Sequence, residues 1–196
     1  MNPFFLPAEY VENKSVPHFD DTPHQDQWQN EVYELAHSVA IKNGINSVLD
    51  YGCGSGYKLM KYFKPESFKA AGAEVGSTLE WLKQNFPNGQ ATWLDASKPL
   101  EEKYGMVICS DVIEHVENPY RLLWDILSAK PRIVVISTPD SNLCGAPLGP
   151  PRNKHHVREW TMDGFHALLS VCMNVLEHRI INEEQCTQVA VCVPRF

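Results

Sequence analysis

Ser47 to Tyr51 form a short, largely apolar run that leads without a break into Gly52, Cys53, Gly54, Ser55 and Gly56. One glycine after a strand is explained by a tight turn that needs positive φ. Three glycines in five residues point further, to a turn whose backbone a ligand approaches closely. Open α/β sheets bind ligands at this place, where the first parallel strand ends. The helix-like segment that follows, about 56–63, offers the free N–H groups of its first turn to such a ligand.

The rest of the chain must then supply further strand and helix units, and it does. Apolar runs at 47–51, 69–75, 90–94, 106–110 and 132–138 alternate with helix-like segments at about 56–63, 77–86 and 119–129. Thr161 to Cys172 is predicted as another helix with Thr161 as N-cap, and two more strands are predicted at about 174–182 and 186–193. The expected fold is α/β and Rossmann-like: a seven-stranded, mostly parallel sheet with helices on both faces. Residues 1–43 are expected to form an irregular arm and a helix over 26–43, belonging to the same domain as 44–196. Within the latter no segment has the composition of a linker. Trp81, Trp93 and Trp124 stand at core-like spacings and are assigned to packing.

Composition narrows the function classes. Hydrophobic residues make up 43% of the 196, enough for a sizeable core. No apolar stretch approaches the ~18–20 residues of a membrane span, and the N-terminus lacks the basic start and apolar middle of a signal peptide. The six cysteines form no C-x-x-C pair, so reduced thiols in a cytoplasmic protein are expected. The net charge is −7 and the 17 basic residues form no dense block. That argues against a surface that holds nucleic acid by neutralising its phosphates.

The glycine spacing is G-x-G-x-G, neither the dinucleotide fingerprint nor a P-loop. VLDYGCGSG resembles the first motif of the class I S-adenosylmethionine (SAM) methyltransferases, and the later motifs keep register over roughly 45–193. The resemblance implies SAM as cofactor. It implies that Asp50 and the turn Gly52, Cys53, Gly54 and Gly56 hold the amino-acid part. Glu74, ending the second strand, would take the ribose hydroxyls, with Val75 against the adenine. Asp95 and Ala96 end the third strand beside the adenine, Ser110 ends the fourth, and Tyr57 is a further contact. Trp28, Tyr33 and His24 fall in a segment that often lids the cofactor in this family; packing explains Trp28 equally well.

Past the fourth strand, Asp111-Val-Ile-Glu114-His115 carries two carboxylates and an imidazole. If this is a helical turn, the three share one face, and that donor set suits Mg²⁺ or Mn²⁺. The segment 139–160 has four prolines and two glycines, and its length suggests function. Its far end holds His155 and His156 and is expected to fold back over the pocket. Together with Ser137-Thr138-Pro139 and His156-Val-Arg-Glu159-Trp160-Thr161, the turn resembles the metal-dependent 2′-O-methyltransferases of small-RNA 3′ ends. That likeness implies Glu114, His115 and His156 as ligands, with His155 the weaker neighbour. Asp111, the fourth candidate metal residue, stands where that family usually has glutamate, so its shorter side chain is expected to reach the ion either directly or through water.

Two other readings stand beside the metal: a metal-free site with His115 or His156 as general base, in which Glu114 orients His115, and a turn that only shapes the pocket. Arg152, Lys154 and Arg158 read as solvated loop charges, or as an attraction for an anionic acceptor. The expected activity is SAM-dependent O-methylation of a small hydroxylated acceptor, sugar or glycan before phenol or catechol, with an RNA 3′ end third. N-methylation and a non-catalytic SAM-binding subunit are the remaining alternatives. No membrane partner is expected.

Overall fold

A computed structural model describes residues 3–14, 27–87 and 89–195, so His24 lies outside the described residues. In chain order the elements are α1 (Asn30–Lys42), β1 (Ser47–Tyr51), α2 (Tyr57–Tyr62), β2 (Lys69–Glu74), α3 (Gly76–Asn85) and β3 (Thr92–Asp95). They continue with β4 (Met106–Ser110), a 3-10 turn (Ile113–His115), α4 (Pro119–Ser128), β5 (Ile133–Pro139), α5 (Met162–Leu169), β6 (Met173–Asn182) and β7 (Thr187–Pro194). The strands form one seven-stranded sheet in the order β3-β2-β1-β4-β5-β7-β6. β1 to β5 pair in parallel, while β7 runs antiparallel to both β5 and β6. The Rossmann-like architecture expected from the alternation is present.

Strand periodicity sorts the core into two layers. Leu49, Val107, Cys109 and Val134 face α4 and α5, where they meet Leu123, Ile126, Phe165 and Leu168. Val48, Met106, Ile108 and Val135 face the other way, against Val32, Ala36 and Ala40 of α1 and Leu59 of α2. Every residue of β4 and β5 is buried, which explains their unbroken apolar runs. Each fully buried aliphatic side chain contributes roughly 1.5–3 kcal/mol.

Local signals set the helix ends. Asn118 caps α4 by accepting from Arg121 N at 3.2 Å, with Pro119 just inside. Thr161 caps α5 through Gly164 N at 3.2 Å, as its position predicted. Trp93 packs over the glycines of the first turn and second strand, and a Cβ on Gly56 or Gly72 would collide with its ring. Trp124 departs from the packing expectation and is 72% exposed. The buried face of α4 is taken by Leu122, Leu123 and Ile126, and Trp124 falls on the opposite side.

The proline-rich segment after β5 is tied down. Asp140 and Trp160 form a parallel bridge, with Ser141 N donating to Trp160 O at 3.0 Å. The N-terminal arm runs along its outside. Val11 N donates to Leu148 O at 2.9 Å, Asn13 N to Val157 O at 2.9 Å, and Trp160 Nε1 to Phe4 O at 2.8 Å. Arg158 is not a solvated charge: it is 2% exposed, pairs with Glu12 at 2.7 Å, and donates to the carbonyls of Val116 and Glu117.

Candidate active site

The sheet order reverses between β1 and β4, and such a switch point opens a crevice at the carboxyl ends of the strands. A cavity of about 810 Å³ lies there, within the size range of ligand sites. One wall is built by the glycine turn. Gly52, Gly54 and Gly56 all take positive φ (79°, 53° and 67°), and a Cβ on Gly52 would strike Val112. Glu74 lies at the end of β2 and staples this turn to the sheet: its Oε1 accepts from Gly54 N and its Oε2 from Val75 N, both at 2.9 Å. Asp50 is fully buried and accepts from Tyr33 Oη at 2.8 Å, which fastens α1 to the strand.

Gly52, Cys53, Gly54, Glu74, Val75, Ala96 and Ser110 line the cavity. Gly56, Tyr57 and Asp95 are not among its lining residues. Gly56 makes room for Trp93, and Tyr57 is 38% exposed. The Asp95 carboxylate caps its own turn through Ser97 N at 3.0 Å and Ser97 Oγ at 2.6 Å.

The acid and histidine groups gather at the other end of the cavity. Val157 N donates to Glu114 O at 2.8 Å, and this bond lays the segment that follows β5 across the 3-10 turn. As a result the His115 and His156 rings stand 4.8 Å apart, nearly perpendicular. One donor atom from each of Glu114, His115 and His156 falls within 4.8 Å of the others. His115 Nδ1 lies 2.9 Å from the carbonyl of His155, so Nδ1 carries the proton and Nε2 is left as the donor. That Nε2 is 3.9 Å from Glu114 Oε1. His155 thus contributes its backbone carbonyl, and the residue itself is exposed and lines the cavity.

Glu114 is fully buried, with Oε2 accepting from Thr138 Oγ1 at 3.0 Å and Oε1 without a hydrogen-bond partner among the described residues. Burial pushes its carboxyl well above the usual range, and the charges of Asp111 and Glu159 push the same way. A buried, crowded, half-satisfied carboxylate facing an imidazole lone pair fits a divalent cation.

Asp111 stays outside that trio. The helical turn begins only at Ile113, and Asp111 itself has φ of +51°, so it does not share the face of Glu114 and His115. Ser137 Oγ donates to its Oδ1 at 2.6 Å and Gln29 Nε2 to its Oδ2 at 3.1 Å. Burial raises the Asp111 carboxyl and these two hydrogen bonds oppose the rise. Gln29 also donates its backbone N–H to Gln185 Oε1 at 3.0 Å, so the start of α1 bridges the cavity from β4 to the β6–β7 hairpin.

Sequence reasoning gave no role to Glu159, Asn153, Gln29, Gln185 or Lys58. Glu159 Oε1 lies 2.6 Å from His156 Nδ1 and is 2% exposed. Its signals are a position three residues after a histidine and its place in the His-x-x-Glu-Trp-Thr segment, neither of which assigns it a role. Gln29 and Gln185 are set by contacts between segments more than 80 residues apart, Lys58 lines the cavity and lies over the Tyr33 ring at 5.7 Å, and Asn153 is placed by a local turn of irregular backbone.

Fold and cavity together define a class I SAM-dependent methyltransferase. The chain belongs to the methyltransferase-domain family, whose pattern it matches over residues 23–181. Among solved structures it is similar to the methyltransferase domain of bacterial CtHen1, with 21% identity, 84% of this chain and 98% of that one covered, and a TM-score of 0.63. It is also similar to a SAM-dependent methyltransferase from Aquifex aeolicus (13% identity, 91% and 100% covered, TM-score 0.67). A third is the magnesium protoporphyrin IX methyltransferase of Synechocystis with bound SAH (17%, 85% and 83%, TM-score 0.61). Comparison with curated protein sequences gives no match.

Proposed function

We propose that the chain is a cation-assisted O-methyltransferase whose acceptor presents a hydroxyl beside a second oxygen, as on a sugar or glycan. The supporting observation is the buried Glu114 Oε1, which has no hydrogen-bond partner and stands 3.9 Å from His115 Nε2. Glu114, His115 and His156 would hold Mg²⁺ or Mn²⁺, with Asp111 engaged by Ser137 and Gln29 outside that set. When bound, a divalent cation orients two neighbouring oxygens and lowers the pKa of one.

The chain's own groups do the rest. Glu74 and the glycine turn position SAM, whose sulfonium offers its methyl group to in-line attack. Asp50, Gly52, Cys53, Gly54, Val75, Ala96 and Ser110 stand as the other candidate cofactor contacts. Thr138 and Glu159 keep Glu114 and His156 in place. Trp28, Gln29 and Gln185 line the cavity from the start of α1 and the β6–β7 hairpin.

Two further readings have support. The likeness of the acid-x-x-Glu-His turn and the His-x-x-Glu-Trp-Thr segment to the RNA 3′-end 2′-O-methyltransferases favours a terminal ribose. The His156–Glu159 pair at 2.6 Å favours His156 as general base without a metal. Mn²⁺ titration followed by electron paramagnetic resonance separates them from the main reading. Wild type should bind one Mn²⁺, Glu114→Gln should bind it at least about tenfold more weakly, and chelation should stop methyl transfer to sugar diols. If chelator leaves transfer unchanged while His156→Ala abolishes it, the general-base reading replaces the cation. Transfer to RNA 3′ ends alone would select the ribose.

A further inference from the structure

His156 is gripped on both ring nitrogens. Nδ1 lies 2.6 Å from Glu159 Oε1, and Nε2 lies 2.9 Å from Asn153 Nδ2. A carboxylate accepts, so Nδ1 carries the proton. The orientation of the Asn153 amide has its own anchor: Oδ1 accepts from His155 N at 3.0 Å, which turns the NH₂ toward the ring. An amide NH₂ only donates, so the Nε2 lone pair is directed at Asn153. Glu114 Oε1 has no hydrogen-bond partner, and His115 Nε2 faces it.

Asn153 is an exposed residue with a fixed backbone and a short side chain. Its carbonyl accepts from His156 N at 3.1 Å and from Asn13 Nδ2 at 3.3 Å. Neither bond involves the side-chain amide. Rotation of the amide away from His156 therefore disturbs one ring contact and one bond to His155 N, and leaves the path of the chain unchanged.

We infer that Asn153 is a displaceable cap on His156: its amide occupies the one lone pair through which His156 can join Glu114 and His115 on a cation, and so sets the affinity of that site. The inference rests on the cation reading above. It also gives the segment 152–156 a function beyond carrying His156, because cation entry and rotation of Asn153 become one event.

The test is Mn²⁺ affinity by electron paramagnetic resonance in wild type, Asn153→Ala and Asn153→Asp, with circular dichroism to verify the fold. Loss of one competing hydrogen bond should tighten Asn153→Ala by about three- to tenfold. Asn153→Asp should bind more tightly again, since it adds a carboxylate at the same place. Nitrogen-15 spectra of His156 without added cation give a second reading. In Asn153→Ala the Nδ1–H tautomer should persist, because Glu159 sets it, while the Nε2 resonance moves toward that of a free lone pair. If wild type binds Mn²⁺ and Asn153→Ala binds it equally or less well, the cap is overturned and the cation site stands. If wild type binds no Mn²⁺, both fall together.

Discussion

At the scale of single residues, the site depends on atoms with one permissible arrangement. Gly52 is such a case: φ of +79° and the nearness of Val112 leave no room for a methyl group. Gly52→Ala should cost about 1–3 kcal/mol in stability and weaken SAM at least tenfold, read by denaturant unfolding and calorimetry. Glu159 is a positioning residue, since it acts through His156. Glu159→Gln keeps an oxygen to accept from Nδ1, whereas Glu159→Ala releases the ring. The alanine variant should lose about 10- to 100-fold in Mn²⁺ affinity and the glutamine variant markedly less, a rescue that a merely structural role would not show. These residues differ in how far the sequence exposes them. Gly52 is legible because φ is a local property and glycine advertises it. Glu159 and Asn153 matter through where a 22-residue excursion lands, and a side chain's neighbours across such a distance leave no periodic trace. Asp111 departs from the shared face for a physical reason: i, i+3, i+4 spacing places groups on one face only where the backbone is helical, and the helical turn starts at Ile113, after the positive φ at Asp111.

At the scale of elements, the alternation of strands and helices was readable because each parallel strand must be buried on both faces and each helix on one. The closing antiparallel pair follows a different constraint. Gln188 of β7 is fully buried and donates to Pro139 O at 3.2 Å and Trp160 O at 2.8 Å, so it welds the hairpin to both ends of the segment after β5. Its Oε1 in turn accepts from His178 of β6 at 3.0 Å. Burial lowers the pKa of His178. The sign of the consequence follows from linkage. The unfolded chain binds the proton at a higher pH than the folded one, so stability is full above about 6.5 and falls as pH drops through that value. Below the depressed folded value the loss stops growing. Urea unfolding from pH 7.5 to 5 should show this decline, and His178→Asn should flatten it.

At the scale of the whole molecule, the arm and the segment after β5 act as one clasp. Arg158 is its centre, with Glu12, two backbone carbonyls and the Phe4 ring, 4.7 Å away, around one guanidinium. Arg158→Ala leaves those carbonyls without a donor and should cost about 2–4 kcal/mol, seen as a lower midpoint in denaturant. Arg158→Lys should recover only part, because an ammonium cannot reproduce the fork. A loop charge beside two histidines gives no sign of this from the sequence, since burial here is conferred by a segment some 146 residues away. Residues 3–14 of the arm form neither helix nor strand, as expected for an irregular segment; their regularity lies in what they touch.

The staple between Glu74 and the glycine turn has a temporal meaning. Because the Gly54 and Val75 amides are held by a side chain of the protein itself, the turn should be ordered independently of a cofactor. The entropy of fixing three glycines is then settled during folding and not at each encounter. Cofactor capture should proceed as a single fast step with no slower rearrangement of the turn behind it. Exchange of spent for fresh cofactor between turnovers would leave this wall of the cavity standing.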